Sequence, residues 1–127
     1  MDKRIYGTGS PWEDQIGYGR AVKVGEIMEV SGTVARLGEE IIGVGDAYAQ
    51  TKFIIEKIES VTKQADMNLN HVVRTRIYVT NMSDWEAVGK AHGEAFSKIK
   101  PATSMIEVNK LIEDEFLVEI EATAVNR

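Results

Sequence analysis

Glu119 and Glu121 are the residues whose type and spacing most directly suggest chemistry. In residues 116–125, Phe116, Val118, Ile120, Ala122 and Ala124 alternate with Leu117, Glu119, Glu121 and Thr123, so a strand here puts one set on each face. Side chains two apart on a strand stand about 6.5 to 7 Å apart, so each carboxylate disfavours ionisation of the other unless a cation or a hydrogen-bond donor answers it. The candidates to answer it lie in residues 72–80, where Arg74, Arg76, Tyr78 and Thr80 alternate with Val73, Thr75, Ile77 and Val79.

The elements around these residues can be read from periodicity. Ala21–Val24 and residues 27–31 flank Gly25-Glu26, the pattern of a tight hairpin with glycine supplying the unusual backbone angle. Residues 46 to about 65 predict a helix with Ile54, Ile58, Val61 and Ala65 on its buried stripe and Lys52/Glu56 and Glu59/Lys63 as pairs four apart. A second helix is predicted from Ser83, where Ser-Asp-Trp-Glu fits a capping box, through Trp85, Val88, His92, Phe96 and Ile99 to its stop at Pro101. Residues 103–108 form another strand, with Thr103, Met105 and Glu107 opposite Ser104, Ile106 and Val108. The order hairpin, helix, strand, helix, two strands predicts an α+β fold, a mixed sheet with both helices on one face. The other face would carry Arg74, Arg76, Tyr78, Met105, Glu107, Glu119 and Glu121, either solvated or covered by other subunits.

Composition narrows the function classes. At 127 residues and 43% apolar content, the chain is expected to be one domain spanning 1–127. No apolar run approaches a membrane span and the start, Met-Asp-Lys-Arg-Ile-Tyr-Gly, has no signal-peptide core, so a cytoplasmic protein without membrane partners is expected. The chain has no cysteine and only two histidines, which argues against thiolate chemistry and against a transition-metal site. A net charge of −5 works against nonspecific nucleic-acid binding. Gly7, Gly9 and Ser10 superficially suggest a phosphate loop, but the segment lacks the lysine and the strand-to-helix setting.

Six segments in order carry a resemblance to a known family. They are Ile16-Gly17-Tyr18-Gly19-Arg20-Ala21-Val22, Val30-Ser31-Gly32, Ala49-Gln50-Thr51, residues 72–80, Lys100-Pro101-Ala102, and Val118-Glu119-Ile120-Glu121-Ala122. Together they resemble the Rid family, also called YjgF or liver perchloric-acid-soluble protein. The resemblance implies a chorismate-mutase-like α+β fold, a homotrimer with a barrel-like centre, and small-molecule ligand clefts between subunits. It also implies cofactor-independent hydrolysis of enamines and imines to a carbonyl compound and ammonia. In the family a Pro-Ala-Arg-Ser arginine binds the substrate carboxylate, with an early tyrosine, a helix asparagine and a late glutamate beside it. The matching positions here are Thr103, Tyr18, Gly89 and Glu119. A threonine cannot reproduce a bidentate guanidinium–carboxylate contact, so ordinary 2-imino acids are not the expected substrates.

Each candidate has more than one reading. Glu119 activates a water as acid/base, or pairs with Arg74 or Arg76; Glu121 neutralises an arginine. Tyr18 lines the cleft or packs at an interface, and Arg20 is a substitute cation, with Arg74 and Arg76 as alternatives. Trp12, with Glu13 and Asp14 on a loop, forms a lid over the cleft or anchors that loop. Met105 fills a cleft wall, His92 is a hydrogen-bonded structural histidine, and His71 has no assigned role. Beside the hydrolase stand a non-catalytic metabolite-binding trimer and, from the family's older name, an endoribonuclease.

Overall fold

A computed structural model describes residues 2–127. Strand β1 (Lys3–Tyr6) leads to a short helix α1 (Pro11–Ile16). Ser10 caps α1 by accepting the Trp12 N–H at 3.3 Å, Pro11 opens it, and Gly17 closes it at φ 89°, a left-handed angle that suits glycine. The segment read as a loop is therefore helical around Trp12, Glu13 and Asp14.

Strands β2 (Ala21–Val24) and β3 (Ile27–Thr33) form the expected hairpin, with Val24 opposite Ile27 and Gly25 at φ 59° in the first turn position. A small ribbon follows, β4 (Arg36–Leu37) against β5 (Glu40–Ile41). Helix α2 (Ala47–Gln64) is capped by Asp46, whose carboxylate accepts the Ala49 N–H at 3.0 Å. After a 3₁₀ turn (Leu69–His71) come β6 (Val72–Val79), a second 3₁₀ turn (Met82–Asp84), α3 (Trp85–Phe96), β7 (Ala102–Glu107) and β8 (Val118–Val125).

Six strands make one mixed sheet in the order β1-β2-β3-β8-β6-β7, all antiparallel except the β6–β7 pair that α3 connects. Both long helices bury apolar stripes on one face. Ile54, Ile58 and Val61 of α2 and Val88 and Phe96 of α3 join Met28, Val30, Ile77, Val79, Val118 and Ile120 of the sheet in one core. Gln50 is fully buried and ties α2 to the approach of β8: its Nε2 donates to Gly43 O (3.2 Å) and Glu115 O (2.8 Å), and its Oε1 accepts the Leu117 N–H (2.9 Å). Those three bonds fix where β8, and so Glu119, enters the sheet.

Several expectations are corrected here. A register shift between Val72 and Arg74 expels Val73 to 47% exposure, so Val72, Thr75, Ile77 and Val79 form the core face. Asn81 caps the 3₁₀ turn before α3 by accepting the Ser83 N–H at 2.9 Å, while α3 itself has Asp84 at its N-cap without a side-chain capping bond and begins at Trp85, which is 55% exposed and off the buried seam. Helix α3 ends at Phe96, short of Ile99. Lys52 pairs with Glu94 of α3 at 3.4 Å instead of with Glu56, while the Glu59–Lys63 pair forms at 3.8 Å.

Met105 and Glu107 do not share the open face with Glu119. In the parallel register Met105 lies beside Ile77 and Glu107 beside Val79, both core-facing, so Thr103, Met105 and Glu107 project to the helix side. Glu107 there accepts the Met82 N–H at 2.7 Å. Ser104 and Ile106 take the open face beside Arg76 and Tyr78.

Candidate functional site

The charged part of the open face is built by β6, β7 and β8. Arg76 stands opposite Glu121 and Tyr78 opposite Glu119 on the β6–β8 ladder. Glu121 lies 3.7 Å from Arg76 and accepts the Tyr78 hydroxyl at 3.1 Å. Arg74 donates to the Ser104 hydroxyl at 3.0 Å. Both β6 arginines are thus engaged, and Glu121 has the cation and the donor that its neighbour lacks.

Glu119 is held differently. Its carboxylate lies over Gly32, where a Cβ would run into Oε2, and no carboxylate–cation pair within 4.0 Å involves it among the described residues. Burial pushes the carboxyl above the usual carboxylate range, Arg20 opposes the rise, and Glu121 adds to it. The β3–β8 ladder shifts register between Val30 and Thr33, and that irregularity places Gly32 beneath the carboxyl.

Arg20 links Glu119 to Tyr18. Its guanidinium donates to Gly32 O at 2.6 Å and sits 5.7 Å from the Tyr18 ring centroid, while its Nε is buried without a partner. Tyr18 follows Gly17 at the end of α1 and is 36% exposed, its ring available beside the cation. Sequence reasoning named Tyr18, Arg20 and Glu119, and one protomer brings them together. It missed Gly32 as the seat of the carboxylate, although Gly32 belongs to one of the segments that carried the resemblance.

Thr103 and Met105 lie elsewhere. They sit on the edge strand β7, two strands from β8 and on the opposite face from Glu119. The Thr103 hydroxyl is 2.7 Å from that of Thr75 and also reaches Pro101 O at 3.2 Å; Thr75, fully buried, lies 2.9 Å from His92 Nε2. Burial lowers the His92 pKa, and its ring packs 4.6 Å from Phe96. His92 therefore ends a buried hydroxyl chain that surfaces at Thr103. Nothing lies within 4 Å of a Cβ built on Gly89, so that position is open space.

Trp12 is 49% exposed on α1 and does not anchor the segment to its own core. Glu13 holds it instead, accepting the Thr8 N–H at 3.2 Å and the Thr8 hydroxyl at 2.6 Å. Among the described residues no group of three or more His, Cys, Asp or Glu is arranged to hold a metal, and no helix is long and apolar enough to cross a membrane.

Comparison with known proteins adds the kinship of this arrangement. The family model described as endoribonuclease L-PSP matches residues 12–126. The chain belongs to that family, the YjgF/Rid family. Among its members, a Streptomyces coelicolor protein is 36% identical over 92% of this chain and 87% of its own length. The 3-aminoacrylate deaminase RutC of Acinetobacter baylyi is 31% identical over 84% of this chain and 85% of its own. The crystal structure of a YjgF/YER057c/UK114-family protein from Mycobacterium tuberculosis superposes with a TM-score of 0.87 at 44% identity, covering 98% of this chain and 99% of that one. The mixed α+β architecture is that of solved YjgF-family structures.

Proposed function

We propose that this member of the YjgF/Rid family is a cofactor-independent cytoplasmic hydrolase of an enamine or imine, working in clefts between the subunits of a homotrimer. The observation that carries the reading is Glu119, a half-buried carboxyl whose pKa burial raises, seated on Gly32 and in the field of Arg20, whose guanidinium stands by the Tyr18 ring. The RutC relative, named for deaminating the enamine 3-aminoacrylate, supports the reaction class. The separation of Thr103 and Met105 from Glu119 within one protomer supports a cleft completed by a neighbour's β7.

In this mechanism protonated Glu119 gives its proton to the enamine carbon or imine nitrogen. The resulting carboxylate takes a proton from water as the water oxygen bonds to the electrophilic carbon. Glu119, protonated again by that step, gives its proton to the amine nitrogen and takes back the hydroxyl proton, so that the C–N bond breaks as the carbonyl forms and ammonia leaves. Arg20 and the Tyr18 hydroxyl orient the polar end of the substrate. Thr103 contributes a neutral hydroxyl, which disfavours ordinary 2-imino acids. A hydrogen bond to a charged group is worth about 1.5 to 3 kcal/mol, so its absence weakens carboxylate binding roughly ten- to hundredfold or more.

The test is ammonia release from freshly generated 2-iminopropanoate and from bulkier and uncharged imines. Turnover in the native protein that is lost in Glu119→Gln supports the hydrolase. Turnover appearing only in Thr103→Arg overturns it in favour of a second reading, a non-catalytic metabolite-binding trimer. That reading draws on the tie of Thr103 to Thr75 and Pro101, which offers no cationic anchor.

A further inference from the structure

Arg20 and Lys57 line one cavity of about 120 Å³ between α2, the start of β2 and the loop after β1. Thr8, Thr33, Ser60 and Gln64 supply polar wall, and no acid lines it. Neither cation lies within 4.0 Å of a carboxylate oxygen among the described residues. Glu13, the nearest acid in sequence to that loop, is spent on Thr8, and Glu119, which feels the charge of Arg20, is not part of the lining.

The donors of the two cations are only partly used. Lys57 Nζ donates to Val34 O at 3.2 Å and Arg36 O at 2.9 Å, leaving one of an ammonium's three N–H groups. Arg20 gives one N–H to Gly32 O, and its buried Nε gives none. Burial, then Arg20 and Arg36, lower the Lys57 pKa, as expected of a charge taken from water and set among like charges. Half-buried cations facing one cavity are stabilised by an anion that accepts their remaining donors.

We propose that this cavity binds a small oxyanion, a carboxylate or a phosphate, with Lys57 and Arg20 as charged anchors and Ser60 and Gln64 as neutral donors at the mouth. The space of about 120 Å³ has room for one such group. The site goes beyond the hydrolase reading and does not require Glu119 to be catalytic. Its occupant is either the carboxylate of a small metabolite or inorganic phosphate, which share the chemistry of planar or tetrahedral oxygens on fixed cations.

The experiment titrates the full-length protein with pyruvate and, separately, inorganic phosphate at constant ionic strength in chloride, following the backbone amide signals of Thr8, Ser60 and Gln64. Saturable shifts are expected, and the tighter probe identifies the source. Lys57→Met is expected to weaken binding at least tenfold, the loss of one charge-assisted bond. Because Lys57 also holds two carbonyls, Ser60→Asp provides an independent arm. A carboxylate placed at the mouth is expected to displace both probes and to raise Tm by supplying the missing counter-charge. Absence of saturable shifts with either probe, or binding unchanged in Ser60→Asp, overturns the proposal. Ammonia release by Glu119→Gln reports on the hydrolase independently of either outcome.

Discussion

Gly32→Ala separates the placement of Glu119 from the stability of the fold. The added Cβ collides with Oε2 and Cδ of Glu119, the free end of a flexible side chain, and no backbone atom is among the nearest contacts. Replacing a strand glycine by alanine contributes roughly 0.5–1 kcal/mol. Driving Glu119 off its preferred rotamer costs roughly 0.5–1.5 kcal/mol. The two nearly cancel, so stability is expected within about 1 kcal/mol of the native protein and Tm within about 5 °C. Clearing the collision moves the carboxyl by about 1 Å or more, and a misplacement of that size costs a reaction on the order of a hundredfold. Three readings follow from one variant: thermal unfolding, the carboxyl-carbon NMR titration of Glu119, and ammonia release. The expected pattern is an unchanged Tm, a Glu119 titration that moves back towards the ordinary range as the group gains water, and turnover down about a hundredfold. Turnover that survives while the titration moves would remove Glu119 from the reaction. A large fall in Tm would show the carboxyl to be a structural wedge.

The raised pKa of Glu119 makes its contribution to stability greatest below its unfolded pKa, about 4.3, and lost as pH rises through the folded value; urea denaturation across this window should show Glu119→Gln lacking that loss. His92 has the opposite sign: its lowered folded pKa gives a contribution present above about 6.5 and lost as pH falls through the folded value, so His92→Gln should flatten that acid limb. Gln50→Leu strands the carbonyls of Gly43 and Glu115 and the Leu117 N–H, and should cost about 3 kcal/mol or more in chemical denaturation at roughly 1–3 kcal/mol per buried orphan. Asp46→Ala removes the α2 cap and should cost about 1 kcal/mol by the same measurement.

The parts of the fold legible in the sequence were those set by local rules. Gly25-Glu26 announced a two-residue turn, Ile54, Ile58 and Val61 announced the buried face of α2, and the alternation of β8 placed Glu119 and Glu121 together. What escaped depends on pairing partners. The slip at Val73 is invisible without β8 beside it. The face taken by Met105 follows from its register with Ile77, which alternation within β7 cannot supply. Alternation says which residues share a side and leaves open which side that is. Lys57 looked like any polar helix position because its burial comes from carbonyls of a connection more than twenty residues earlier.

Strand β8 follows every other strand in the chain yet lies between β3 and β6 in the sheet. Remove it and β1-β2-β3 and β6-β7 share no ladder, so neither half is a smaller version of the fold. During synthesis the earlier strands therefore emerge with two facing edges unpaired, the kind of exposed template on which other chains can add. Both edges are covered in one late step of long-range pairing, which loop-closure entropy makes slow. The strand that carries Glu119 is thus also the keystone of assembly, and a substitution there that slows pairing would lower the yield of folded protein without altering any finished molecule.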